Sequence, residues 1–317
     1  MGKILVTGAT GFVGAELCNA LRRRGAAVIG AVRRNACADQ CDVGDLSGST
    51  DWTRALPGCD VIIHLAARVH IMQDKAADPL RDYREINVDA TVNLARQGAA
   101  LGVKRFVFVS SIKVNGEETS TRAFTPQDVP APLDPYGQSK LEAERALMEI
   151  ARETGMELVI VRPPLVYGPG VKANFLRLMQ LVRRGWPLPF GGMRNRRSMV
   201  ALDNLVDLLI VCAHHPAAAG RIFMVSDGDD QSIASLVTLM ARAMNKRALL
   251  LPVPQQLISS AARALGKSAV ASRVLGSLQV DITDTRKVLD WQPVITTEKA
   301  VQKTVASFLD KGSATSS

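Results

Sequence analysis

A doubly wound α/β fold is predicted by this sequence: one parallel sheet covered by helices on both faces, followed by a smaller, mostly helical lobe. Three observations predict it. Short apolar runs alternate with longer stretches of helical periodicity over the first 165 residues. Those runs are too apolar to leave one face of a sheet wet, so the sheet must be parallel and buried between helices. A glycine-rich turn, "VTGATGFVG", joins the first run to the first helical stretch.

The elements follow in order. "KILVTG" is the first strand, and "FVGAELCNALRRRG" is a helix with Phe12, Val13, Leu17 and Leu21 on one face and Gly25 as its stop. "AAVIGAVRR", "DVIIHLAA", "RFVFVSS" and "ELVIVRPP" read as further strands, with helices at 82–101 and 136–154. Residues 1–165 therefore form the expected dinucleotide-binding domain. After "RPPLVYGPG" the rhythm changes: Pro and Gly cluster in "GWPLPFGG", and helical segments dominate 232–280. Residues 166–197 and 226–310 are expected to form a substrate-binding lobe over the carboxyl edge of the sheet, with 198–225 returning to the first domain. The apolar, weakly basic stretch 257–278 reads as a helical lid rather than a membrane-surface element. The small polar end, 311–317, is expected to be disordered.

With 317 residues, 47% apolar and 22% charged, the composition is that of a globular protein. Runs such as "LLIVCA" are too short to span a bilayer, so no stable membrane insertion is expected. The amino terminus enters a strand directly and resembles no secretory signal, and Val6 stands where a myristoylation motif needs Ser or Thr. Five cysteines, an odd number without metal-ligand spacing, argue against a disulfide framework and a metal site and fit a cytoplasmic setting. The net charge of +9 favours anionic partners. Nucleic acid is not expected, because aromatic interleaving, a helix-turn-helix pattern and a basic tail are all missing. A small polyphosphate needs only about two or three well-placed arginines.

The glycine turn supplies such a site. Gly8 permits the tight turn, Gly11 lets the backbone approach a pyrophosphate, and Gly14 lets helix and strand pack closely. The following helix start directs free N–H groups and a positive dipole end at the phosphates. The architecture is thus Rossmann-like. A carboxylate ending the second strand would bond the ribose 2′-hydroxyl of NAD. Here that strand ends in Arg33 and Arg34, which suit a 2′-phosphate through charge-assisted bonds. NADP(H) is therefore the preferred cofactor, with NAD(H) possible; a solvated basic loop is the alternative reading of the pair.

"DPYGQSKLEAE" places Tyr136 and Lys140 one turn apart near a helix start. A phenol has a pKa of about 10 and is a poor base at neutral pH. A neighbouring ammonium and the positive helix end both favour its phenolate, and together with a bound nicotinamide cation they could lower the Tyr136 pKa. Ser111 lies at the carboxyl end of a strand, where open α/β sheets hold ligands, and its hydroxyl can hold a substrate oxygen beside that phenol. The alternative is that Ser110 and Ser111 only punctuate the strand.

With the glycine loop, "HLAA", "SSIKVNG", "YGQSK" and "RPPLVYGPG" in this order, the chain resembles the extended short-chain dehydrogenase/reductase family over nearly its whole length. Within it, the chain looks most like nucleotide-sugar enzymes of the epimerase/dehydratase group. The resemblance implies Ser111, Tyr136 and Lys140 as the catalytic trio. It implies cofactor contacts from Phe12, Val13, Asp42, Val43, Leu65, Ala66, Ala67, Asn87 and Pro163. It also implies substrate contacts from Asn174, Phe190 and Arg197, with Arg273 as a further candidate, and a homodimer. The family's dehydratases carry an Asp-Glu pair just after the serine; Ile112 and Lys113 stand there and cannot abstract a proton beside a carbonyl. The family's Val-Tyr-Gly reads "VNG", with Asn115, and the sequence offers no physical reason for that change. The leading expectation is an NADP(H)-dependent 4-reductase acting on a UDP-4-keto-6-deoxy-N-acetylhexosamine for surface-polysaccharide (O-antigen) precursors. The alternatives are a UDP-hexose or UDP-N-acetylhexosamine 4-epimerase with tightly bound NAD, and a non-catalytic dinucleotide sensor.

Overall fold

The computed structural model describes residues 2–69, 78–264 and 275–314. The expected α/β architecture is observed: seven strands, every neighbouring pair parallel, in the order β3-β2-β1-β4-β5-β6-β9. These are β1 (Lys3–Thr7), β2 (Val28–Val32), β3 (Gln40–Asp42), β4 (Cys59–His64), β5 (Arg105–Val109), β6 (Glu157–Arg162) and β9 (Arg221–Met224). The short β3 is the one strand of this sheet that the apolar pattern does not announce. Two further strands, β7 (Leu165–Tyr167) and β8 (Met199–Ala201), pair with each other apart from the main sheet. Chain order reverses between β1 and β4, which opens a crevice at the carboxyl edge, the place where such sheets bind ligands.

Each face of the sheet has its own core. Helices α1 (Phe12–Arg23) and α6 (Leu202–His214) pack on one face, with Ile4, Val6, Leu17, Leu21, Ile63 and Leu205 buried. Helices α3 (Ala90–Ala100) and α4 (Pro135–Thr154) cover the other, over Leu5, Ile62, Leu94, Phe106 and Leu147. Period-2 alternation sends Ile4 and Leu5 into opposite cores, so both faces of β1 are dry. Burying each such side chain contributes about 1.5–3 kcal/mol.

Local sequence explains the helix bounds. In α4, Asp134 caps the amino end by accepting from the Gly137 N–H at 2.7 Å, Pro135 opens the first turn, and Gly155 (φ 74°) closes the helix. The region expected as one helix over 82–101 is instead α2 (Pro79–Arg84), a wide π-turn (Glu85–Asp89) and α3. That turn holds Asn87 at the crevice.

The second lobe has a third core built on Tyr167, Phe175, Met179, Met240 and Val301. Its helices are α5 (Ala173–Arg184), α7 (Ile233–Ala243), α8 (Gln255–Ala264) and α10 (Thr297–Ala314). Helix α9 (Thr283–Leu289) lies beside β9. Of the returning segment 198–225, α6 and β9 join the main layers while β8 leaves with β7. Helix α10 continues to Ala314. Residues 265–274 and 315–317 lie outside the described residues, which takes ten of the 22 residues of the lid segment expected at 257–278 out of view. No helix among the described residues is long and apolar enough to cross a membrane.

Candidate functional site

The glycine turn is built as a close-approach cradle. Gly8 has φ 65°, and a Cβ there would lie 3.0 Å from the Ala66 nitrogen. A Cβ on Gly14 would sit 2.1 Å from the Gly8 carbonyl oxygen, so only glycine lets α1 reach the strand. These residues fit a dinucleotide pyrophosphate at the α1 start, where Gly11 occupies the N-cap without a side chain to obstruct it. Phe12 and Val13 begin α1, and Phe12 packs on both the first core and the lobe core.

A buried chain of hydrogen bonds aligns the strand ends. The Leu65 and Ala66 N–H groups donate to Thr7 Oγ1, each at 3.1 Å. Thr7 Oγ1 lies 2.7 Å from His64 Nδ1, and His64 Nε2 lies 2.9 Å from Thr91 Oγ1. Thr91 gives its proton to the Asn87 carbonyl at 2.8 Å, so it accepts from Nε2 and leaves Nδ1 to accept from Thr7. Burial, with Lys140 nearby, pushes the His64 pKa down to about 3, which keeps this neutral relay in place at neutral pH. The Asn87 amide is engaged inside the protein: it accepts from Arg68 N–H at 2.8 Å and donates to the Arg68 carbonyl and Ser139 Oγ. Asn87 thus braces the loop after Ala67 against α4. Neither Thr7 nor His64 was singled out by the sequence, because their contact spans 57 positions.

The cofactor end expected at β2 holds a group the sequence reading left out. Arg33 and Arg34 are exposed, and their guanidinium nitrogens lie 3.9 and 4.0 Å from the Asp45 carboxylate. Thr10, Val32, Arg33, Arg34 and Asp45 line one cleft of about 510 Å³. The absence of a carboxylate at the end of β2 itself stands, but Asp45 enters the cleft from beyond β3. Asp42 closes β3 and accepts from the Gly44 N–H, and Val43 follows, half-buried against the second core.

Ser111, Tyr136 and Lys140 come together where β5 ends and α4 begins. The Ser111 hydroxyl hydrogen-bonds the Tyr136 phenol and also accepts from the Lys113 N–H at 3.2 Å. Ser110 differs: it is buried, and its Oγ has no hydrogen-bond partner among the described residues. Lys140, 2% exposed, donates from Nζ to the Val109 carbonyl at 2.9 Å and lies 4.4 Å over the Phe108 ring. Burial pushes its pKa down to about 7, opposed by Glu144. Burial also raises the Tyr136 pKa, assisted by Asp134 and Tyr83 and opposed by the Ser111 hydrogen bond. The protein's own groups do not supply the lowering expected at Tyr136: desolvation outweighs the Ser111 hydrogen bond, and the lysine is directed to a strand carbonyl.

The residues after the serine explain themselves. Ile112 faces the core, 4% exposed, and its N–H donates to the Pro163 carbonyl at 3.0 Å. Lys113 Nζ forms ion pairs with Asp134 and, at 2.8 Å, with Glu117. Asn115 also acquires a physical reason. Arg162 and Glu144 form a pair that is 2% and 1% exposed, with guanidinium-to-carboxylate distances of 2.9 and 2.5 Å. Asn115 completes it by accepting from Arg162 Nη1 at 3.0 Å and donating to the Thr125 carbonyl.

In the lobe, Asn174 follows Ala173 (φ 53°) in the first turn of α5, and Phe190 is half-buried against the lobe core. Arg197 donates to the Gly276 carbonyl at 2.9 Å; burial lowers its pKa, opposed by Glu118 and Glu117. Arg273 lies outside the described residues. Among the described residues no cluster of His, Cys, Asp and Glu is arranged to hold a metal ion.

Comparison with known proteins places the chain in a family. The model of the NAD dependent epimerase/dehydratase family matches residues 4–226. A UDP-glucose 4-epimerase of Vibrio cholerae is 47% identical over 312 residues, covering 96% of this chain and 95% of that one. A UDP-glucose 4-epimerase of Mycolicibacterium smegmatis is 29% identical, covering 98% and 99%. Among solved structures, the UDP-N-acetylglucosamine 4-epimerase from Bacillus cereus superposes with a TM-score of 0.79 at 21% identity, covering 96% and 99%. MoeE5 in complex with UDP-glucose and NAD gives 0.77 at 24% identity, covering 98% and 99%. Both structural likenesses establish the fold.

Proposed function

Because the chain belongs to the NAD dependent epimerase/dehydratase family, we propose that it interconverts the C4 epimers of a UDP-hexose or its N-acetylated counterpart, with NAD retained. The observation that carries this reading over the 4-reductase is the 47% identity, across nearly the whole of both chains, to a UDP-glucose 4-epimerase. The reductase reading leaned on Arg33 and Arg34 as a 2′-phosphate site, and Asp45 in the same cleft weakens that support.

Bound NAD supplies a reversible two-electron oxidation of the sugar carbon. The protein's own residues do the rest. Tyr136 removes the proton of the C4 hydroxyl and returns one to the same oxygen after the sugar turns over. Ser111 donates to that oxygen and holds it beside the phenol. Lys140, anchored on the Val109 carbonyl, stands at the carboxyl edge to hold the cofactor ribose. Asn174, Phe190 and Arg197 would receive the UDP-sugar, Arg197 offering a guanidinium to its phosphates or ribose. Ile112 and Lys113 provide no acid–base pair for dehydration.

The test is direct. Pure protein is incubated with UDP-glucose or UDP-N-acetylglucosamine and the products are read by NMR. Appearance of the C4 epimer with no net change in cofactor absorbance supports the proposal. NADPH consumption only with the 4-keto-6-deoxy sugar would establish the reductase instead.

Two predictions accompany it. Asp45→Ala should shift the NADP/NAD affinity ratio about fivefold toward NADP, since one solvent-screened charge near 4 Å is worth roughly 1 kcal/mol; titration of both cofactors checks this, and an unchanged ratio would remove Asp45 from cofactor choice. Lys113 screens Asp134, whose charge raises the Tyr136 pKa. Lys113→Met leaves that carboxylate less compensated, so the phenol's pKa rises further. The rate limb that requires deprotonated Tyr136 should then move about one pH unit alkaline, worth about tenfold at neutral pH. Lys113→Arg should restore it, and an unmoved limb in the Met variant would contradict the role.

A further inference from the structure

The excess positive charge of this chain is segregated. Residues 163–202 and 231–280, which make up most of the second lobe, contain thirteen Lys and Arg and not one Asp or Glu. The other 227 residues carry 26 cations and 30 carboxylates, so the lobe holds the whole surplus behind the net charge of +9. A sugar-nucleotide diphosphate needs about two or three of these cations, and Arg197 is already assigned to it.

Part of the surplus surrounds exposed apolar side chains. The segment after α5 runs beside residues 246–251: the Leu188 N–H donates to the Leu249 carbonyl, the Leu251 N–H donates to the Leu188 carbonyl, and Lys246 Nζ donates to the Arg183 carbonyl. Leu250 turns inward to the lobe core, while its neighbours Leu249 and Leu251 are 54% and 49% exposed. Trp186 is 59% exposed, with the Arg184 guanidinium 5.6 Å from its ring centre. Lys246 and Arg247 are exposed on the adjoining segment.

We propose that this ribbon is a peripheral docking face for an anionic lipid bilayer. Trp186, Leu249 and Leu251 sit at headgroup depth, and Arg184, Lys246 and Arg247 meet lipid phosphates. Exposed leucines beside cations favour a lipid surface over nucleic acid: aliphatic side chains gain from an acyl boundary and gain little from a polyphosphate strand. The absence of Asp and Glu from the two segments that carry the ribbon matters because each acidic group there would be repelled by the negative surface potential that draws the cations in. The inference is independent of which sugar reaction the crevice performs.

The experiment uses the full-length protein with vesicles of phosphatidylcholine alone or mixed with phosphatidylglycerol. Trp52 and Trp291 are buried and Trp186 is the exposed third tryptophan, so an emission blue shift on vesicle addition reports on the ribbon. The expected result is co-sedimentation and a blue shift with the anionic vesicles only, both weakening as added salt shortens the screening length from ~8 Å toward ~3 Å. Arg184→Gln with Lys246→Gln should weaken binding about fivefold per charge. Leu249→Ser with Leu251→Ser should weaken it at every salt concentration, and Trp186→Phe should abolish the spectral shift while sedimentation persists. Unchanged melting of each variant excludes misfolding as the cause. Failure to bind anionic vesicles overturns the proposal. So does binding that the leucine variants leave intact and that single-stranded DNA competes away, since that outcome identifies a general polyanion surface.

Discussion

Replacing Tyr136 by Phe should lower kcat about a thousandfold, the scale of a lost general acid–base, while fold and dinucleotide binding persist. The ring already packs edge-on against Tyr83 at 6.0 Å, and phenylalanine preserves that contact and the length of α4. What disappears is the one hydroxyl that Ser111 touches and that could exchange a proton with a sugar oxygen. Burial holds that phenol above its ordinary pKa, so the wild-type rate should climb with pH toward the alkaline side as the phenolate becomes accessible. The variant's residual rate should lack that climb. Steady-state kinetics across pH, with bound cofactor measured on the same samples, checks both parts. A variant within about tenfold of wild type, or one whose pH profile is unchanged, would remove Tyr136 from proton transfer.

Glu144→Ala should destabilise the protein by about 3–5 kcal/mol, because it strands the Arg162 guanidinium in the interior with only Asn115 as a side-chain partner among the described residues. The pair sits beneath the site: Glu144 is one helical turn beyond Lys140 on α4, and Arg162 ends β6. Glu144 also supports the Lys140 charge, so its loss should push that lysine's pKa below about 7. Replacing both partners together by leucine should recover much of the stability, since the cost lies in the unpaired charge rather than in the missing bond. Urea unfolding of the single and double variants measures this. A single variant within about 1 kcal/mol of wild type would show that Arg162 finds water or another acceptor.

The contrast between Tyr136 and Glu144 shows what the chain discloses when read linearly. The glycine turn and the Tyr136–Lys140 spacing are local, since one helix or one turn brings their residues together, and both motifs fall at the crevice where the parallel sheet puts them. Contacts closed by the fold are silent in the sequence. Asp45 is eleven positions beyond Arg34 and faces it only because β3 folds back alongside β2. Asn115 reads as an unexplained substitution until Arg162, 47 residues later, donates to it. Desolvation is equally hidden: one-turn spacing suggests an ammonium serving a phenol, yet the burial of both groups reverses the expected direction at Tyr136. The break of helix 82–101 into a π-turn is likewise tertiary, because Asn87 is held there by Arg68 and Ser139. The preference for a 2′-phosphate rests on two arginines, and a carboxylate just beyond β3 weakens it.

Carbon-bound deuterium at C4 of UDP-glucose gives the most direct measurement. An epimerase that lifts the hydrogen from C4 and returns it within the same bound complex should form the C4 epimer with the deuterium still on carbon and no label in solvent. Label lost to water, or no epimer formed while a 4-keto sugar consumes NADPH, would contradict the proposed reaction.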